Sequence, residues 1–112
     1  MRLNRQVSDR NGARLVSGLV GYALSVRQED ILSEGRGAIE VARARQVAMY
    51  LAHVGMGLSL ARVAYAFDRD RSTVAHACRL IEDRRDDPDF DAWVTCLEDG
   101  LKSLEPLRSS AA

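Results

Sequence analysis

The sequence predicts an all-α fold, a compact bundle of about five to six helices that contains a helix-turn-helix. Three observations point there. Apolar residues recur at three- and four-residue spacing along most of the chain, and aromatic residues make up only 5%, which leaves Ala, Val, Leu and Ile to pack helices closely. The third is the stretch from Val41 to Ile81, which reads as one helix followed by a bihelical unit. Its last member opens on Arg71-Ser72-Thr73. A chain of 112 residues suffices for one domain and a tail, and is too short for two sizeable cores.

Residues 1–12 are polar and carry the turn pair Asn11-Gly12, which predicts a flexible N-terminal arm. From Ala13 to Leu24 the spacing suits a helix with Leu15, Leu19 and Tyr22-Ala23 on its inner side. Gly18 and Gly21 weaken it by about 1 kcal/mol each relative to Ala, so it needs a close neighbour. Ser25 with Gln28 resembles a capping box that starts a short helix through Ile31 and Leu32. Ser33 to Gly37 then reads as a loop.

A third helix is expected from Glu40 to His53, with Val41, Ala44, Val47, Ala48 and Leu51 inward and Met49 and Tyr50 in the core. Gly55 and Gly57 end it. Ser59 is placed to cap a helix reaching Phe67. Asp68-Arg69-Asp70 makes the turn, and Asp70 is placed to cap the next helix, Arg71 to Arg84. There Val74, Ala77, Cys78 and Ile81 share a buried face, leaving Arg71, Ser72, Ala75 and Arg79 opposite, while His76 beside the buried face is read as structural. These elements set a domain of residues 13–85. Asp87-Pro88 restarts the chain as an acidic amphipathic helix over residues 86–105, apolar at Phe90, Trp93, Val94, Leu97, Leu101 and Leu104. Pro106 stops it, and residues 106–112 are expected to be a disordered tail.

The zero net charge hides a segregation. Residues 36–81 carry seven Arg against three acids, whereas residues 82–105 carry nine acids against three basic residues. Fifteen of the sixteen basic residues are Arg, the side chain whose planar fork suits phosphate and guanine. A basic middle and an acidic end imply a nucleic-acid face and a separate face that avoids it. No run is apolar and long enough to span a bilayer, and no secretory signal opens the chain, so a cytoplasmic, nucleoid-associated protein is expected. Cys78 and Cys96 are expected as thiols, and His76 and Cys78, two apart on a helix, point apart, so no metal and no other cofactor is expected. Carboxylates cluster without a base and nucleophile pair, which argues against an enzyme.

The residues A-R-A-R-Q-V-A-M-Y-L-A, S-L, A-F and R-D-R-S-T-V-A-H-A-C-R-L-I-E together resemble the C-terminal DNA-binding domain of the bacterial replication initiator DnaA. The match is specific over residues 42–82, weaker over 13–41 and absent after about 83. The resemblance implies an all-helical domain whose helix-turn-helix reads a nonameric box in the major groove, with a basic loop entering the minor groove. It implies base-reading roles for Asp70, Arg71, Ser72 and Thr73, which fall on the family's R-D-H-T-T motif with Arg71 and Ser72 in place of its His and first Thr. Arg45 aligns with a phosphate-contacting Arg. In the loop, Arg36 is the one cation where the family has several. No phosphate-cradling G-x-x-x-x-G-K-[ST] occurs, so nucleotide binding and a complete initiator are not expected.

The expected function is therefore sequence-specific binding of double-stranded DNA, most simply as a transcriptional regulator working with RNA polymerase or another transcription factor. Stand-alone domains similar to this one occur among phage-like and gene transfer agent activators. Arg36, Arg43, Arg45, Arg62 and Arg69 are the candidate phosphate or minor-groove contacts, and together with neighbouring backbone amides about four to six phosphate contacts are expected. Phe90 and Trp93 are the candidate partner surface. The alternatives are a replication-control protein competing for initiator boxes, and a helical interaction module that has lost DNA binding.

Overall fold

The computed structural model describes residues 2–35 and 37–111, and the side-chain surroundings of 4–35 and 37–104. Six α-helices follow in order: α1 Arg2–Leu24, α2 Gln28–Leu32, α3 Ile39–Tyr50, α4 Leu60–Phe67, α5 Arg71–Arg84 and α6 Pro88–Ala111, with a π-helical turn, Leu51–Gly55, continuing α3. No strand occurs among the described residues. Helix α3 lies at the centre, packed chiefly on α5 and α1, and α1 also packs on α4. The core joins Val16 and Val20 of α1, Ile31, Val47, Ala48 and Leu51 around α3, Val63 and Phe67 of α4, Val74 and Ile81 of α5, and Val94 and Leu101 of α6. Among the described residues no helix is long and apolar enough to cross a membrane.

The expected N-terminal arm is instead helix. Asn11-Gly12 lies inside α1, where Gly12 and Ala13 are buried. Farther up, the buried Asp9 receives two hydrogen bonds from Arg62 of α4, at 2.9 and 2.8 Å. A tertiary anchor thus overrides a local turn signal. The inner side of α1 also differs from expectation: Ala13, Val16, Ser17 and Val20 are buried, Leu15 and Leu19 only partly so, and Tyr22 is 89% exposed. The smaller residues face inward because the neighbours come close. A Cβ on Gly21 would strike the carbonyl oxygen of Val26.

Ser25 does not start α2. It ends α1 in the left-handed region, φ 59°, and Val26 N–H returns to the carbonyl of Gly21 at 2.9 Å. Gln28 reaches back to donate to the Arg14 carbonyl at 2.5 Å, so the expected capping box is replaced by a tie between helices. Ser59 does cap α4, accepting from Arg62 N–H at 3.2 Å. Asp87 caps α6, accepting from Asp89 N–H at 3.1 Å. The α6 backbone continues through Pro106 to Ala111, where a disordered tail was expected. A proline at this position has no N–H for the carbonyl of Lys102, which is exposed to solvent.

Helix α6 is fastened by Arg85, whose guanidinium donates to Asp91 at 2.6 Å, to the Tyr50 hydroxyl and Thr95 at 3.0 Å each, and to Glu98 at 3.2 Å. Tyr50 in turn donates to Glu82 at 2.9 Å. The bond to Asp91, helped by those to Glu98 and Tyr50, holds the Arg85 guanidinium well above its ordinary value despite burial. Met49 and Tyr50 are both core, 1% and 2% exposed.

Candidate nucleic-acid interface

Helix α5 owes its position to a narrow apolar face. Val74, Ala77 and Ile81 are buried and Cys78 half-buried, at the three- and four-residue steps that make one stripe. The opposite side is left to solvent: Arg71, Ser72, Thr73, His76 and Arg79 are all exposed. His76, read from sequence as structural, therefore belongs to the outer face. Its spacing from Ser72 and Arg79, four and three residues, was the signal that should have placed it there.

The turn ahead of α5 is set by Asp68, which takes the left-handed conformation at φ 54°, ψ 52° that ends α4. Its N–H goes to Tyr65 O at 3.2 Å and the next, Arg69 N–H, to Ala64 O at 2.9 Å, so the exposed carbonyls of the last turn of α4 are satisfied. Asp70 stands at the N-cap position of α5, yet its side chain makes no capping hydrogen bond. The expected cap is absent and the carboxylate is exposed beside Arg71.

Arg69 folds back from this turn. One terminal nitrogen donates to the carbonyls of Ser33 at 2.6 Å and Gly35 at 3.0 Å, fastening the segment before α3 to the helix-turn-helix. Its Nε is buried without a hydrogen-bond partner among the described residues. Arg36, the expected minor-groove residue, lies outside the described residues.

The remaining arginines divide. Arg45 is 5% exposed, with Nε donating to Ile31 O at 2.8 Å and a terminal nitrogen to Asp30 O at 2.9 Å, so it satisfies the C-terminal carbonyls of α2. Burial, then the charge of Arg69, lowers its pKa. Arg62 is held by Asp9, which raises its pKa, and faces α1. Arg43 is exposed but lines a different groove, with Leu24, Arg84, Phe90 and Trp93. Arg45, Gln46, Arg69, Asp70, Thr73 and His76 instead line one open groove of about 870 Å³ between α3 and the α4–α5 turn. The structure so brings Arg69, Asp70 and Thr73 together, with Arg71 and Ser72 on the adjoining exposed turn. It sets Arg43 and Arg62 apart, and it adds Gln46 and His76. Gln46 is one residue beyond Arg45 in sequence, and no local pattern marked it.

An exposed helix N-terminus with Arg, Ser and Thr side chains, fixed by a buried stripe behind it, has the donors and acceptors that base edges and phosphates require. Among the described residues no cluster of His, Cys, Asp or Glu is arranged to hold a metal ion.

Comparison with known proteins agrees with this geometry. The family described as "Bacterial dnaA protein helix-turn-helix" matches residues 15–81, more than half of the chain. The chromosomal replication initiator protein DnaA of Laribacter hongkongensis is 37% identical over 102 residues, covering 89% of this chain and 20% of that protein. That of Desulfotalea psychrophila is 34% identical over 91 residues, 80% of this chain and 19% of that protein. The chain thus spans about a fifth of the length of these relatives. A crystal structure of a DNA replication initiation factor superposes with a TM-score of 0.76 at 32% identity, covering 88% of this chain and 30% of that one. A replication initiator DnaA bound to AMPPCP and single-stranded DNA gives 0.74 at 32% identity, with 87% and 30% covered. The helix-turn-helix built by α4 and α5, with α3 behind it, is that of the bacterial DnaA C-terminal domain, and the chain belongs to this family.

Proposed function

We propose that this chain binds double-stranded DNA sequence-specifically and serves as a transcriptional regulator, acting through binding with no catalytic step of its own. The observation that carries the DNA reading is the exposed Arg71-Ser72-Thr73 turn standing on the buried Val74, Ala77 and Ile81. In this reading α5 lies in the major groove. Arg71 donates to guanine O6 and N7, a contact worth about 1–3 kcal/mol of discrimination against other bases. Ser72 and Thr73 complete the base contacts, and Arg79 and His76 meet phosphates along the outer stripe. Arg69 and Arg45 serve as positioning residues in it, because their guanidiniums are bonded to backbone carbonyls. RNA polymerase or another transcription factor is the natural partner of such a regulator within the nucleoid.

Replication control by occupation of initiator boxes is a second reading, favoured by the relatives, which carry the name of replication initiators. The Arg71-Ser72 pair favours the first, since an arginine at the head of the reading helix asks for a different base than the family's histidine.

Selection from a random-sequence duplex library tests both. Enrichment of a motif other than the family's nonameric box supports a dedicated regulator, and recovery of that box supports replication control. Arg71→Ala is expected to flatten the preference at one position. No enrichment with the wild-type chain, or an unchanged motif with Arg71→Ala, would overturn the assignment of α5.

A further inference from the structure

A second groove lies at the other end of α5. Leu24 of α1, Arg43 and Val47 of α3, Arg84 of α5, and Phe90 and Trp93 of α6 enclose about 230 Å³. That is smaller than the roughly 300–1,000 Å³ of small-molecule pockets, and is room for one bulky side chain. The floor is apolar: Phe90 and Trp93 are half-buried with ring centroids 5.7 Å apart, and Leu24 is 39% exposed. The mouth is cationic. Arg84 stacks on Phe90 at 4.0 Å from the ring centre, Arg43 is exposed, and neither is held in an ion pair among the described residues.

We infer that this groove docks a short acidic segment of a partner protein, its bulky apolar anchor seated between Leu24, Val47, Phe90 and Trp93 and its carboxylates on Arg43 and Arg84. Charge complementarity selects the occupant. A duplex backbone carries its charge over many phosphates, and Asp83, Asp86, Asp87 and Asp89, close to Arg84 in sequence, are all exposed, whereas a short segment needs to place only one or two carboxylates on the two guanidiniums. An apolar cavity also has nothing to offer a phosphate. Docking here leaves the reading turn clear, because thirteen helical steps from Arg71 to Arg84 span about 20 Å. On α3, Arg43 and Val47 serve this groove, while Arg45, Gln46 and Met49 serve the other. The inference stands independently of DNA binding.

Trp93 is the single tryptophan of the chain and reports directly on the groove. The probe is a synthetic peptide of on the order of a dozen residues, rich in Asp and Glu, with a central Leu-Phe anchor and no Trp. Titrated into the full chain, it is expected to shift Trp93 emission saturably. Arg43→Glu and Arg84→Glu should each weaken binding by about tenfold with the helical circular dichroism unchanged. The same peptide with Lys replacing its acids, or Ala replacing its anchor, should not bind. An equal response to the Lys peptide, no response at millimolar peptide, or a shift driven by protein concentration alone, which would mark a second copy as occupant, each overturns the inference. So does displacement of the peptide by an unrelated duplex.

Discussion

Asp68 sits where a glycine would be least strained, and it tolerates the left-handed conformation because its side chain is short and polar. Asp68→Gly should leave stability within about 0.5 kcal/mol, while Asp68→Val, with a branched Cβ, should lose about 1–2 kcal/mol, both read from urea denaturation. Two protons, one buried on Tyr50 and one half-buried on Cys78, make a second expectation. Burial, reinforced by Glu82, raises the Cys78 thiol above its ordinary 9.0, and burial raises the Tyr50 phenol above 10.0. For both groups the unfolded chain ionises first, so the folded state holds more protons and stability falls as pH rises. This contribution is complete below the ordinary thiol value and is lost as pH climbs through the raised ones. Urea midpoints collected at rising pH should begin to drop near pH 9.0, and Cys78→Ala should postpone the drop toward the phenol range. A pH-independent midpoint between those limits would contradict the burial of both groups.

Among the elements, α1 and α4 are joined by an unequal pair: the Asp9 carboxylate is 3% exposed and the Arg62 side chain 37%. Removing the arginine strands a buried charge, whereas removing the aspartate releases a cation that can turn to water. Arg62→Ala should therefore cost about 2–3 kcal/mol, discounted from a fully buried pair for the exposure of Arg62, and Asp9→Ala only about 1 kcal/mol. Equal losses in thermal melts of the two variants would show that Asp9 is not desolvated. This pair also marks the limit of what single stretches reveal. Helices α3, α4 and α5 were legible because their apolar spacing is local: the Ser59 cap and the Val74-Ala77-Ile81 stripe need no knowledge of the rest. The first helix was not, because its N-terminal half is held by Arg62, fifty-three positions away in sequence. The Ser25 box failed for the same reason, since Gln28 found a partner in Arg14.

At the scale of the molecule, most of the candidate site was readable and most of its arginines were not. The exposed turn could be named from R-D-R-S-T because helix-start residues opposite an apolar stripe have nowhere to go but outward. Arginine rows do not say whether a guanidinium meets solvent or a carbonyl, and three of them, Arg45, Arg62 and Arg69, are bonded inside the fold. On the proposed DNA reading, the expected phosphate count falls accordingly from four to six to about two to four. The slope of log affinity against log salt should then lie near −2 to −4, at about −0.9 per contact. Fluorescence anisotropy with a labelled duplex over a range of salt measures it, and a slope steeper than −5 would mean that the internal guanidiniums let go of their carbonyls on binding.

The wide turn at Leu51–Gly55 has a mechanical meaning of its own. A π-helical turn carries one residue more than an α-helical one, so it acts as a phase shifter in the screw of the backbone. Excising that single residue would rotate everything beyond it by about 100° about the α3 axis. Gly55, whose Cβ would lie 3.0 Å from Leu101, would leave its seat under α6, and the arginine-led turn would swing out of line with Gln46. The orientation of the Arg71-Ser72-Thr73 turn is thus written into an insertion some sixteen positions upstream of it.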